Sequence, residues 1–114
     1  MKKLTDYNKA FFIGIGGIGM SALARWFNHS GYTIGGYDRT PSDITNNLIK
    51  EGAEVIYDDC EEAIPNIFKT DADKTLVVYT PAIPTDSEIL NFFNTANYDV
   101  VKRSVALGII AQSS

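Results

Sequence analysis

The chain has 114 residues, 45% of them hydrophobic and 21% charged, with a formal net charge of −4 and a single cysteine. That length suits one domain around one core, and the composition is globular, neither disordered nor membrane-like. Cys60 has no partner for an internal disulfide, as expected of a reduced, cytoplasmic setting; the scattered basic residues argue against nucleic-acid binding, and the apolar run after Lys9 is too short to span a membrane.

In chain order, Ala10, Phe11, Phe12 and Ile13 form a continuous apolar run, as a strand covered on both faces should be. From residue 18 to about residue 30 the period changes. Met20, Leu23, Ala24 and Phe27 fall at i, i+3, i+4 and i+7, one face of a helix, and Gly31 supplies a stop. Residues 32–37 read as a second strand ending at Asp38. A second helix is expected to open at Thr40-Pro41-Ser42-Asp43, with Thr40 as the cap, Pro41 at the first helical position and Gly52 closing it. Residues 55–57 and 76–79 read as the third and fourth strands, with a polar loop at 69–74 between them. Thr85-Asp86-Ser87-Glu88 has capping-box spacing before a helical stripe of Ile89, Phe92, Phe93 and Ala96. Val100-Val101 makes a fifth strand, and a helix begins at Ser104.

Strands that alternate with helices, each strand apolar, specify a Rossmann-like α/β domain: a doubly wound sheet of about five parallel strands with helices on both faces. The sharpest local signal is Gly14-Ile15-Gly16-Gly17-Ile18-Gly19, a G-x-G-x-x-G between the first strand and the first helix. The first glycine permits a tight turn, the second lets the backbone approach a diphosphate, and the third lets helix and strand pack closely. N–H groups and the helix dipole at residues 17–20 then make an anion site without a lysine. No Lys follows Gly19, so this is not the ATP-cradling P-loop, and Ser21 lacks the flanking glycines of a nucleophile elbow. The Ser21 hydroxyl can reach a phosphate or bond the backbone. Asp38, nineteen residues after Gly19, stands where a dinucleotide fold places a ribose-binding carboxylate. Arg39 beside it would meet a 2′-phosphate in an NADP site or stack on a base in a UDP site. These residues specify a nucleotide pocket and leave the nucleotide open, so an NAD(P)-binding domain of a dehydrogenase, or a ligand-sensing module, stays as the alternative.

Residues 11–21, Phe-Phe-Ile-Gly-Ile-Gly-Gly-Ile-Gly-Met-Ser, resemble the opening of the Mur ligases, bacterial cell-wall amino-acid ligases, and within them the branch that adds L-alanine to UDP-N-acetylmuramate. The likeness continues through Gly36-Tyr37-Asp38, where the family's usual serine is replaced by Tyr37. It extends to Gly52-Ala53, to Tyr79-Thr80-Pro81-Ala82-Ile83 and to Lys102-Arg103-Ser104. The Gly16-Gly17-Ile18-Gly19 turn is more like the alanine-adding branch than the peptide-recycling relatives, which carry bulkier residues there.

The resemblance implies an enzyme of peptidoglycan biosynthesis in which the lactyl carboxylate of UDP-N-acetylmuramate is activated by ATP as an acyl phosphate and then captured by the alanine amine. It implies three domains, of which this chain is the N-terminal, UDP-substrate domain, residues 1–114; the central ATPase and C-terminal domains would supply ATP, Mg²⁺ and amino-acid sites. No cofactor and no catalytic group is expected in this domain. Carried across, Gly14, Gly16, Gly17, Ile18, Gly19, Met20 and Ser21 would hold the diphosphate. Asp38 and Arg39 would face the uridine, and Thr80, Pro81, Ala82 and Ile83 would lie across the cleft. Arg103 would be a phosphate or sugar partner, or else a solvated capping residue.

Elsewhere, Asp58, Asp59, Glu61 and Glu62 around Cys60 read as a solvated helix start in preference to a metal site. His29 reads as a surface residue at a helix end, and Trp26 as core or interface.

Overall fold

The computed structural model describes residues 2–113, and the elements follow the chain order expected of a doubly wound sheet. Strands β1 (Lys9–Ile13), β2 (Thr33–Tyr37), β3 (Glu54–Ile56), β4 (Thr75–Tyr79) and β5 (Asp99–Lys102) alternate with helices α1 (Ile18–His29), α2 (Asp43–Lys50), α3 (Glu88–Thr95) and α4 (Arg103–Ser113). All strand pairs are parallel, in the order β3-β2-β1-β4-β5. The chain therefore winds outward from β1 in one direction, then restarts at β4 on β1's other side. That reversal opens a crevice beyond the C-terminal ends of β1 and β4, the place where open parallel sheets bind ligands.

Alternation along β1 divides the core into two layers. Ala10 and Phe12 point to one face, with Leu76 and Val78 beside them, and are covered by Met20, Leu23, Ala24 and Phe27 of α1, Leu48 of α2 and Ala106 of α4. Phe11, Ile13 and Val77 point to the other, beneath Ile89, Leu90 and Phe93 of α3 and the fully buried Phe68. Phe11 packs edge-on against Phe68 at 5.2 Å between ring centroids. Gly35 in β2 makes room for that ring, because a Cβ there would lie 2.5 Å from Phe68.

Three helix starts differ from expectation. The α2 cap is Ser42, not Thr40: Ser42 Oγ accepts the Thr45 N–H while the Ser42 N–H donates to Thr45 Oγ1. The Thr40 N–H is already donated to Asp38 Oδ1, which holds Thr40 and Pro41 in the preceding turn. Likewise α3 is capped by Ser87, whose Oγ accepts the Leu90 N–H, and Thr85 lies outside the helix. α4 begins one residue earlier than expected, at Arg103. The 69–74 loop ends in a 3₁₀ turn, Ala72–Lys74. Trp26 is not core: it is 40% exposed and meets Phe27 edge-on. Helix α1 ends as expected, with Gly31 at φ +93° just beyond it and His29 exposed.

Candidate functional site

The crevice holds a cleft of about 550 Å³ whose walls come from the ends of all five strands. Its floor is the turn after β1. Gly14 adopts φ +95°, and a Cβ there would lie 2.5 Å from Thr80 Cγ2, so the first glycine is demanded twice over, by backbone conformation and by the turn after β4. The N–H groups of Gly14 and Ile15 both donate to Tyr37 O, at 2.7 and 2.9 Å, which ties the turn to the end of β2. The Gly16 N–H donates to Asp38 Oδ2 at 2.8 Å, and a Cβ on Gly16 would overlap that carboxylate. The Gly17 N–H donates to Gly14 O at 3.2 Å.

What remains is the first turn of α1. Gly17 is its cap and has no side chain to satisfy the helix end, and the first intrahelical bond runs from the Ser21 N–H to Gly17 O. The N–H groups of Ile18, Gly19 and Met20 have no partner among the described residues, and they carry the positive end of the helix dipole. The Arg103 guanidinium sits over the same turn, its Nη1 2.8 Å from where a Gly19 Cβ would stand. Arg103 is the first residue of α4 and has no carboxylate partner among the described residues. A cation at two helix N-termini is electrostatically unfavourable unless an anion lies between them. The arrangement can bind a phosphate group, since no carboxylate among the described residues pairs with the guanidinium.

Of the residues expected at the site, Gly14, Gly17, Gly19, Met20, Asp38, Arg39, Thr80, Ala82, Ile83 and Arg103 line the cleft together. Gly16, Ile18, Ser21 and Pro81 do not. Gly16 acts behind the wall, through Asp38. Ile18 turns its side chain to solvent, 83% exposed, and contributes only its N–H. Ser21 is buried and its hydroxyl donates to Ile18 O at 3.0 Å, so of its two expected roles the structure places it in the backbone one. Asp38 has both oxygens engaged, by the N–H groups of Gly16 and Thr40, and its first task is to brace the turn.

Three lining residues were not foreseen: Tyr37, Asp59 and Pro84. Pro84 simply extends the Thr80–Ile83 turn. Glu61 and Glu62 do open a solvated 3₁₀ turn, and Asp58 is exposed, but Asp59 departs from that reading, since Oδ1 accepts both the Ser87 hydroxyl and the Ile89 N–H at 3.0 Å and so pins the β3 loop to the start of α3. Among the described residues no cluster of three His, Cys, Asp or Glu side chains could hold a metal ion. Burial, then Asp59 and Asp38, push the Tyr37 phenol above its ordinary pKa, leaving it a neutral hydrogen-bond donor at physiological pH.

Residues 9–114 match the Mur ligase family, catalytic domain. The chain belongs to the Mur ligase family. It is 50% identical over 109 residues to the UDP-N-acetylmuramate–L-alanine ligase of Cytophaga hutchinsonii, covering 96% of this chain and 23% of that protein. It is 52% identical over 102 residues to the protein of the same name from Porphyromonas gingivalis, covering 90% and 22%. The crystal structure of a UDP-N-acetylmuramate–alanine ligase from Thermotoga maritima shares this Mur ligase fold with a TM-score of 0.81 at 24% identity, over 92% of this chain and 23% of that one. The chain thus spans under a quarter of the length of the relatives it matches. Among the described residues of this Mur ligase chain, no helix is long and apolar enough to cross a membrane.

Proposed function

We propose that this chain is the UDP-substrate domain of a cytoplasmic, ATP-dependent ligase that joins L-alanine to the lactyl carboxylate of UDP-N-acetylmuramate in peptidoglycan synthesis. The observation that carries the reading is the convergence of three unpartnered α1 amides with the unpaired Arg103 guanidinium at the switch point of the sheet. In a chain of net charge −4, an anionic ligand must be held by such local geometry and not by the overall field. A diphosphate satisfies both donors. The Thr80, Ala82 and Ile83 wall would then bound the ligand on the β4 side, with Asp38 and Arg39 beside the nucleoside.

The reaction needs ATP, Mg²⁺ and an amino acid. The sequence has no P-loop, so those ligands fall to other domains of the protein and no chemical step runs through this one. This domain's part is to bind and orient the nucleotide end of the substrate, so that the lactyl carboxylate is presented outward for activation.

Amide-detected NMR titration of the chain with UDP-N-acetylmuramate and, separately, with NADH tests the reading. The amides of Ile18, Gly19 and Met20 should move with the UDP ligand, and Arg103→Gln should weaken that response about tenfold, the worth of one charge-assisted hydrogen bond. Tighter binding of NADH, or amides that stay still, would replace the ligase reading with the dehydrogenase alternative or remove the site.

A further inference from the structure

The β4 side of the cleft is walled by the loop of residues 80–87, which has little internal support. Pro81, Ala82, Pro84, Thr85 and Asp86 are exposed, while Ile83 leans inward, its Cδ1 3.6 Å from where a Cβ on Gly14 would stand. Within the loop the Ile83 N–H donates to Thr80 O and the Ser87 N–H to Pro84 O, each at 3.1 Å. Exposed turns with so few bonds are the parts of a fold that open most readily. The far end of the loop is different. Ser87 is 2% exposed, and its hydroxyl donates to Asp59 Oδ1 at 3.0 Å while accepting the Leu90 N–H. The same Oδ1 accepts the Ile89 N–H at 3.0 Å. Asp59 lies on the segment after β3 and lines the same cleft, so its carboxylate straps the β4-side wall to the β3 side. Helix initiation does not require such a strap. Helix α2 has the same length of eight residues and starts from the reciprocal Ser42 and Thr45 bonds, with no carboxylate from a distant segment among the described residues.

We propose, resting on the nucleotide reading above, that Asp59 is a positioning residue of this cleft: by holding Ser87 it fixes the wall of residues 80–84 at the width a nucleoside diphosphate requires. A carboxylate suits the task, because one oxygen accepts both bonds and its charge strengthens each of them. With the strap cut, the wall samples wider positions, and the binding-competent width becomes one of several. Apparent affinity then falls by the fraction of molecules that still hold that width. The anion floor stands apart from this, since it is built from the first turn of α1 and from Arg103, neither of which touches the strap. Asp59 therefore acts on the wall beside the nucleoside and leaves the seat of the phosphates alone.

Two variants at one position test this. Asp59→Ala removes the acceptor, whereas Asp59→Asn keeps an Oδ1 for Ser87 and Ile89. Both remove the charge, so a difference between them reads the acceptor alone. Dissociation constants for UDP and inorganic pyrophosphate are measured on parent and variants, with urea midpoints to show that each is folded. Asp59→Ala should bind UDP about tenfold more weakly than Asp59→Asn and bind pyrophosphate within about twofold of it. The heteronuclear ¹⁵N NOE of the Ala82 and Ile83 amides should drop in Asp59→Ala and return in Asp59→Asn, a readout that support of α3 alone would not move. Ser87→Ala cuts the strap from its other end and reads the same loss should Asp59→Ala not fold. The double variant should bind UDP no worse than Asp59→Ala, because both changes remove one link. Equal UDP affinity in the alanine and asparagine variants overturns the proposal, as do additive losses in the double variant or an equal loss of pyrophosphate. A parent that binds UDP no better than pyrophosphate overturns the strap and spares the anion site, whereas one that binds neither takes the nucleotide reading down as well.

Discussion

Gly14 and Gly19 open and close the same motif, yet substitution at each should fail for a different reason. An alanine at position 14 would have to hold φ +95° and drive its Cβ to 2.5 Å from Thr80 Cγ2, in the turn just after β4. Left-handed strain and overlap together should cost about 2–3 kcal/mol of stability, read as a lower urea midpoint. At position 19 the backbone is helical and the nearest atom is the end of an arginine, which can swing away at little cost. Gly19→Ala should therefore fold within about 0.5 kcal/mol of the parent and lose about tenfold in pyrophosphate affinity, because its methyl occupies the space between amides and guanidinium. Equal pyrophosphate affinity in Gly19→Ala and parent would show that the anion does not sit on this turn. The motif's spacing made Gly14, Gly16 and Gly19 legible, because a tight turn and a close backbone approach are local demands. The cleft positions of Tyr37 and Asp59 were not, since they depend on a ring packed in the second core layer and a carboxylate reaching 28 residues along the chain to Ser87.

The strands and helices could be read because apolar period is a property of a few consecutive residues, and the central strands β1 and β4, buried on both faces, are apolar from Ala10 to Ile13 and from Leu76 to Val78. Caps were harder. Thr40, Ser42, Thr85 and Ser87 are all competent capping residues, and what selects among them is which hydroxyl the folded turn leaves facing the helix end. For α2 the selection is made by Asp38, which takes the Thr40 N–H and leaves the reciprocal bonds to Ser42 and Thr45. Ser42→Ala should lower stability by about 1 kcal/mol in urea unfolding, and Thr40→Ala by less than about 0.5 kcal/mol. The reverse order would mean that the helix starts where composition alone had placed it. Because Thr45 of α2 and Asp38 both border Gly16, the loss in Ser42→Ala should also be visible as movement of the Gly16 amide, whose partner is that carboxylate.

At the scale of the whole molecule, the two core layers are closed at their margins by tyrosines. Tyr7 donates to Asp99 Oδ2 at 2.9 Å, joining the segment before β1 to the edge strand β5, and Tyr32 donates to Leu4 O at 2.6 Å. Tyr98 stacks edge-on against Phe93 at 4.8 Å. With Tyr37, all four phenols have pKa values raised above 10.0, burial being the first cause in each, and for Tyr7 the hydrogen bond to Asp99 adds to it. The sign of the consequence follows from linkage. In the unfolded chain these groups ionise near the ordinary value, while in the folded chain they still hold their protons. The stabilisation is therefore complete below about pH 10 and is lost as pH climbs from there through the folded-state values. Urea unfolding between pH 8 and pH 11 should show stability flat at first and falling steeply above pH 10. Tyr7→Phe, less stable at pH 8 for want of its bond to Asp99, should fall less steeply, because the group with the largest shift no longer titrates. Parallel curves for parent and variant would mean that Tyr7 ionises alike in both states, and the tie between the N-terminal segment and β5 would then contribute nothing to the alkaline limit of the fold.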